Sequence, residues 1–242
     1  LSSDLDTLFT GRTFEIKVYP FSFKEYLDYF GYENAYDAFD NYLKEGGMSG
    51  SYLYRDLEAK YDYIKDVFDT LIVRDIRQKY KIKNVGLMDR LVDFLTDNIS
   101  NLTSARNVAD TLTANKDKIN HKTIGAYIQY LCNAFAFYKI RRYDIHGKKY
   151  LASNDKYYLC DHSFRYAKLG TKNLDYGRVL ENIVAIELLR RGYEVYVGVL
   201  YKKEIDFVAI KRNEKIYIQV SDNISDEKTF MREATPLLQI KD

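Results

Sequence analysis

The first third of the chain alternates apolar and polar positions in two different ways. Residues 13–18, TFEIKV, switch between polar and apolar side chains at every step, which predicts a short strand. Ser22 can then cap a helix, and helical spacing of the apolar residues continues to about Tyr80. The glycine-rich segment 46–50 divides this region into two helical parts.

Residues 87–150 predict a second module, made of three short helices and a hairpin. Ser104 and Asn120 can cap the second and third helices, and the third continues to about Phe137. Two basic segments then flank His146-Gly147, a two-residue turn with glycine at the position that tolerates positive φ. Three helices followed by a basic hairpin are typical of a winged helix-turn-helix.

The last third predicts an α/β arrangement. The pattern indicates, in order, a helix over Gly177–Arg191, strands over Glu194–Leu200, Glu204–Lys211 and Lys215–Val220, and a final helix that Asp226 caps and that stops before Pro236. We therefore expect a multidomain protein of the α+β and α/β classes, divided into residues 1–84, 85–165 and 166–242.

Composition narrows the class of protein without identifying a partner. Charged residues make up 30% of the chain and hydrophobic residues 46%, as in a globular protein, and the net charge is only +2. We find no apolar run near the roughly 18 residues that a membrane span needs, and no secretory signal. We therefore expect a cytoplasmic protein with no membrane partner, in which Cys132 and Cys160 are reduced.

Several local motifs resemble one family, the bacterial and archaeal AAA-type ATPases that carry a C-terminal restriction-endonuclease-like, or PD-(D/E)XK, domain. The matching segments are 2–12, 20–26 (PFSFKEY), 118–123 (KINHKT), 180–182 (LEN) and 204–207 (EIDF). The resemblance implies that residues 1–84 hold the last strand of an ATPase core plus a helical lid. Because the chain runs from Leu1 to Asp242 without that core, we expect a fragment that lacks its N-terminal ATPase core and that can form a homo-oligomer.

The sequence departs from this family at the nucleotide site. No G-x-x-x-x-G-K-[ST] motif occurs, so nothing here would cradle a triphosphate and its magnesium. ATP and Mg²⁺ are therefore expected only in an intact protein. Arg12 is a candidate nucleotide-sensing residue of that protein, or else an ordinary surface arginine.

The nuclease-like motif also lacks one of its parts. Glu181 on a helix and Asp206 on a strand could bind Mg²⁺, and Gln219 could add a neutral oxygen ligand, but Ser221 stands where the family has its catalytic lysine. The degenerate site of Glu181, Asp206, Gln219 and Ser221 is therefore expected to be inactive. Activity would need a cation from elsewhere, for which we considered Lys202, Lys203 and Arg178, and these acids could equally be ordinary surface residues.

The predicted winged helix suggests contact with DNA. The candidate DNA-binding residues are Lys118, Lys122 and Thr123 near the third helix and Arg141, Arg142, Lys148 and Lys149 on the hairpin. The leading hypothesis is a DNA-binding fragment whose nuclease-like domain is inactive and which needs no cofactor. The alternatives are a Mg²⁺-dependent DNase with a relocated lysine, and a protein-interaction scaffold.

Overall fold

The computed structural model describes residues 16–113, 119–171, 175–201 and 203–240. In this part of the chain the protein combines helices with one mixed, five-stranded β-sheet, so the broad α and β character expected from the sequence is confirmed. The chain divides into two compact units. The first contains residues up to 97, 105–138 and 159–171, and the second contains 98–104, 139–158 and 172–242.

Helices make up the first unit. They are α1 (Phe23–Phe30), α2 (Ala35–Glu45), a 3-10 helix (Ser49–Leu53), α3 (Leu57–Thr70), a π-helical segment (Leu71–Gln78), α4 (Val85–Asp97), α5 (Ala105–Leu112), α6 (His121–Asn133) and α7 (Ser163–Leu169). As predicted, Ser22 caps α1, through a capping box with Glu25, and Asn120 caps α6. Buried aliphatic residues such as Ile64, Leu91 and Leu131 form the interior of this unit.

The sheet and two helices make up most of the second unit. Its elements are β1 (Phe137–Asp144), β2 (Lys149–Leu159), α8 (Tyr176–Arg190), β3 (Glu194–Leu200), β4 (Lys203–Lys211), β5 (Glu214–Ile218) and α9 (Glu227–Leu238). The strand order is β2-β1-β3-β4-β5. Strand β1 runs parallel to β3, whereas β3, β4 and β5, the three strands predicted from the sequence, pair in antiparallel fashion as a meander.

The two faces of this sheet pack against different helices. On one face Ile140, Val197 and Phe207 share a buried cluster with Ala185 and Leu188 of α8. On the other face a second buried cluster is joined by Leu237 of α9; its sheet members include Tyr143, Ile205 and Val208. Because side chains alternate along a strand, membership of one cluster or the other identifies the face on which each residue lies.

A β-bulge interrupts this alternation in β4. Tyr196 pairs with Val208 and Gly198 pairs with Ile205, so Val197 alone lies opposite both Asp206 and Phe207. An extra residue of this kind redirects the side chains next to it, and bulges are common beside active sites. The bulge lets Asp206 and Phe207, although adjacent, both turn toward the α8 side of the sheet.

Some predicted elements differ from the structure. Residues 16–18 form no regular element, and residues 13–15 lie outside the described residues, so the first predicted strand is not observed. Strand β5 ends at Ile218 and not at Val220. Helix α9 continues through Pro236 to Leu238, because a proline so close to the end of a helix removes only one backbone hydrogen bond of its last turn.

The hairpin predicted as a wing has a different place in the fold. Three helices, α4 to α6, do precede it, but residues 141–144 of β1 pair with residues 196–199 of β3. The hairpin strands are therefore members of the same sheet as β3 to β5. The predicted boundary at residue 165 falls inside α7, and the compact units group the hairpin with residues 172–242 instead.

Among the described residues, no helix has both the length and the apolar character that crossing a lipid bilayer requires.

Gly198 lies next to the bulge and has no room for a side chain. A Cβ atom at this position would lie 2.9 Å from Val208 Cγ2, 3.0 Å from Ile205 Cβ and 3.1 Å from Ile145 Cδ1. We expect Gly198→Ala to destabilise the protein by about 1–3 kcal/mol in chemical denaturation, because overpacking forces strands apart. Gly86→Ala is the control, since no atom lies within 4 Å of its Cβ position, and equal stability of both variants would contradict this prediction.

Candidate active site

A buried lysine on β2 lies at the centre of the most unusual cluster of the second unit. The Lys156 ammonium nitrogen lies 2.7 Å from Glu181 Oε1, 2.7 Å from Glu204 Oε1 and 3.6 Å from Asp206 Oδ1. The Lys156 side chain is only 3% exposed, and those of Glu181 and Asp206 are 12% and 11% exposed. Glu204 is 38% exposed, so the cluster faces solvent on its side.

The course of β2 explains how the lysine reaches this position. Asn154 has φ +58°, outside the extended region of a regular strand. Beyond it, Asp155 and Thr103 exchange two backbone hydrogen bonds of 2.9 Å, and Ser100 N donates to Tyr157 O. Residues 155 and 157 thus pair with the 98–104 segment, while Lys156 and Tyr158 alternate with them and both contact Glu181.

Two of the three acids, Glu181 and Asp206, accept further hydrogen bonds. The Tyr158 hydroxyl donates to Glu181 Oε1 at 2.6 Å, and the backbone N–H of Val220 donates to Asp206 Oδ2 at 2.9 Å. The side-chain carbonyl of Gln219 accepts from the Asp206 backbone N–H at 3.3 Å, and its amide nitrogen donates to Glu233 of α9 at 2.8 Å. The orientation of the acids is therefore fixed by α8, β2 and the end of β5 together.

The pKa values of Glu181, Asp206 and Lys156 are all raised above their ordinary values, by burial or by neighbouring charges. Burial raises the pKa of Glu181 to about 7; Lys156 opposes this shift and Asp206 adds to it. Burial likewise raises the pKa of Asp206, against the stabilising effect of Lys156. Burial acts to lower the pKa of Lys156, but Glu181 and Glu204 outweigh it, so that pKa lies above its ordinary value and the ammonium stays charged.

The comparisons with known proteins identify a family and no activity. The model of the domain of unknown function DUF8612 matches residues 36–175, which is more than half of the chain. The chain belongs to this family. An uncharacterized protein of Haemophilus influenzae is 40% identical over the whole chain, which covers 60% of that protein. The uncharacterized protein MJ1544 of Methanocaldococcus jannaschii is 26% identical over 93% of the chain, which covers 54% of that protein.

These findings correct the family expected from the sequence motifs. The chain matches the DUF8612 model and uncharacterized relatives. The expected membership in the AAA-type ATPases is therefore wrong. The expectations of a lid, a missing ATPase core and bound ATP lose their basis with it. The chain spans a little more than half the length of these relatives, and no solved structure matches it.

The structure brings together most of the residues that the sequence predicts for the nuclease-like site. Glu181 and Asp206 both contact Lys156, and Gln219 holds the backbone of Asp206. Glu204 joins them, because side chains alternate along β4 and Glu204 lies two residues before Asp206. Ser221 does not: its hydroxyl donates to Asn223 O in a local turn.

The positively charged side chain beside these acids is Lys156, which is not one of the three candidates named from the sequence. Lys203 donates to Gln239, Arg178 pairs with Asp175 at 2.9 Å, and Lys202 lies outside the described residues. Lys156 was missed because β1 and β3 separate its strand from β4 in the sheet order. The available signal was a lysine placed directly before the apolar and aromatic run Tyr157-Tyr158-Leu159.

The predicted DNA-binding residues fall in both units. Lys122 is exposed and Thr123 half-buried at the start of α6 in the first unit. The other four, of which Arg142 is half-buried and the rest exposed, belong to the second unit: Arg141, Arg142, Lys148 and Lys149. Lys118 and Arg12 lie outside the described residues. Tyr127 is buried and Tyr130 stacks on Tyr80, so both are packing residues.

Among the described residues, no group of three or more His, Cys, Asp or Glu side chains has the spacing of a preformed metal site. The carboxylates of the candidate site instead converge on the Lys156 ammonium.

The raised pKa of Glu181 predicts a pH dependence of stability. The unfolded chain releases this proton near pH 4.5 and the folded protein near pH 7, so the contribution of Glu181 is complete below about pH 4.5 and is lost as the pH rises through 7. We expect Glu181→Gln to remove this decline from the profile of thermal unfolding temperature against pH. A ¹³C NMR titration should show the Glu181 carboxyl changing near pH 7; a midpoint near 4.5 would contradict the prediction.

Lys156 should matter most where the acids are charged. Lys156→Met leaves three carboxylates facing one another without a cation, and we expect a loss of about 3–5 kcal/mol at neutral pH. The loss should shrink in acid, because protonation relieves the repulsion. Lys203→Met is the control, since that lysine is exposed and its hydrogen bond to Gln239 involves no member of the cluster. Urea denaturation at two pH values measures the difference, and equal losses for both variants would refute a central role for Lys156.

Proposed function

We propose that the second unit hydrolyses phosphodiester bonds of nucleic acids with the help of a divalent cation. The observation that supports this function is the Lys156 ammonium, which lies within hydrogen-bonding distance of Glu181 and Glu204 and 3.6 Å from Asp206. A helix-borne glutamate, a strand-borne aspartate and a lysine at one place are the combination that PD-(D/E)XK nucleases use. The expectation of an inactive site depended on the missing lysine at Ser221, and Lys156 supplies that charge from another strand.

The donor chemistry of the cluster fits a hard divalent cation. Three carboxylates face one ammonium, which leaves a formal charge of −2 from three negative groups and one positive group when all are ionised. Burial raises the pKa values of Glu181 and Asp206, and the neighbouring carboxylates add to both shifts, so a cation bound here would stabilise the charged forms. Carboxylate oxygens are the ligands that Mg²⁺ and Mn²⁺ prefer, and Glu181 and Asp206 would hold the ion.

Each residue of the cluster has a defined task in this chemistry. The bound cation would polarise the phosphate and lower the pKa of the attacking water. Lys156 would stabilise the negative charge that develops on the phosphoryl oxygens in the transition state. Tyr158 and the Val220 backbone N–H orient the two binding carboxylates, and Gln219 fixes the backbone of Asp206.

Nucleic acid is the proposed substrate because of the charge distribution of the same unit. Arg141, Lys148 and Lys149 are exposed on β1, on the β1–β2 turn and at the start of β2, which gives a local basic surface that the net charge of +2 conceals. Such a surface attracts a polyanion independently of its sequence. The winged-helix interpretation of α4 to α6 would add a second contact to DNA through Lys122 and Thr123, and it stays a prediction.

The test is cleavage of fluorescein-labelled single-stranded and duplex DNA and RNA with Mg²⁺, Mn²⁺ or EDTA. We expect cleavage that requires the metal, and a loss of about 100- to 1,000-fold in kcat for Lys156→Met and Asp206→Asn. Lys203→Met should retain activity, and because it is purified identically it also controls for a contaminating nuclease. Absence of cleavage from the wild-type protein with every substrate would refute the hydrolase. Salt-sensitive binding without cleavage would favour an inactive DNA-binding protein, and no binding would favour a scaffold.

A further inference from the structure

Arg142 on β1 has a buried polar atom whose partner is missing from the described part of the protein. Its Nε is buried and makes no hydrogen bond, and Arg142 forms no ion pair among the described residues. Two other arginines have a buried Nε without a partner, but Arg77 forms an ion pair with Asp89, and Arg165 lies 3.6 Å from Asp97. Of these three, Arg142 alone has no acidic partner among the described residues, and a buried polar atom such as its Nε normally has a hydrogen-bond partner.

The register of the sheet places Arg142 beside the candidate active site. Arg142 pairs with Val197, the residue that lies opposite the bulge formed by Asp206 and Phe207. Two strand spacings separate β1 from β4, so the Arg142 and Asp206 backbones lie about 10 Å apart. A long side chain on β1 can cross much of that distance.

The face of the sheet is also the right one. Ile140, two residues before Arg142, and Val197, its partner on β3, both belong to the cluster that packs against α8. Alternation along β1 therefore puts Arg142 on the α8 side, where Lys156 meets Glu181 and Asp206. Arg141 alternates with it, and the neighbouring Tyr143 belongs to the cluster on the opposite face.

We propose that Arg142 binds a phosphate of the nucleic acid next to the bond that is cleaved. This inference depends on the proposed function and adds to it the group that holds the substrate. A guanidinium presents parallel N–H donors that match two phosphate oxygens, so a phosphodiester supplies the missing acceptor. It also explains how a polyanion can approach a cluster that carries three carboxylates: a cation that those carboxylates do not use lies on the same face.

The experiment compares Arg142→Ala and Arg142→Lys with Arg191→Ala in steady-state cleavage. Arg191 is the control, because it carries the same charge in the same unit but pairs with Glu187 and belongs neither to the candidate site nor to the basic surface. We expect Arg142→Ala to raise KM about 10- to 100-fold, the effect of losing a charge-assisted hydrogen bond. Arg142→Lys should recover only part of it, because lysine lacks the bidentate geometry. Equal effects of Arg142→Ala and Arg191→Ala would overturn the proposal.

A second measurement identifies the phosphate and does not depend on turnover. Neutral methylphosphonate linkages are introduced one at a time into a DNA oligonucleotide, and binding is followed by fluorescence anisotropy with Ca²⁺ in place of Mg²⁺. One linkage should weaken binding to the wild type and to Arg191→Ala, and have no effect on Arg142→Ala. Lack of any such linkage would overturn the phosphate contact, even in a protein that cleaves DNA. A linkage effect in a protein that does not cleave would leave the contact standing and refute only hydrolysis.

Discussion

The charge of Lys156 is the interaction on which the second unit depends. Three acids from α8 and β4 meet within 4 Å of one ammonium in a largely buried place, and each would repel the others without it. Burying several charges together is expensive unless they are paired and hydrogen-bonded, and here every acid has either Lys156 or a further donor to satisfy it. The helix, the β4 bulge and the irregular second half of β2 are therefore coupled through one nitrogen atom.

The charges of this cluster do not balance, because three carboxylates face one ammonium. This imbalance is the strongest argument for a functional role. A purely structural ion pair usually balances its charges, but this cluster carries more negative charge than Lys156 can offset. Burial raises the pKa of Glu181 to about 7 even though the Lys156 ammonium opposes that shift. Perturbed pKa values of this kind concentrate where an additional charged group binds. In the proposed function, this surplus would attract a metal cation, and Arg142, which has no acidic partner among the described residues, would bind a phosphate on the same face.

The sequence predicted the local elements of this unit well, because they depend on local periodicity. Strand β3 begins and ends at the predicted residues, and α8 and β4 each differ by one residue from their predicted bounds. The approach of Glu204 and Asp206 to the same group followed from side-chain alternation. The place of the β1–β2 hairpin did not, since pairing of β1 with β3 joins residues more than fifty positions apart and no local pattern records it. A hairpin that must stand free as a wing and a hairpin that joins a sheet have the same alternation of side chains.

The missing lysine at Ser221 shows the same limit of sequence reasoning, because a contact between distant residues leaves no local pattern. A motif search asks for a cation two residues beyond Gln219, because in that family the strand itself carries it, and Ser221 fails that test. Catalysis, however, depends on where the charge lies in space and not on the strand from which it comes. Lys156 comes from a strand separated from β4 by two others, and it reaches the acids only because β2 turns onto the 98–104 segment beyond Asn154. In the proposed function Lys156 replaces the missing lysine although it lies far from Gln219 in the sequence, so a degenerate motif does not by itself indicate an inactive site.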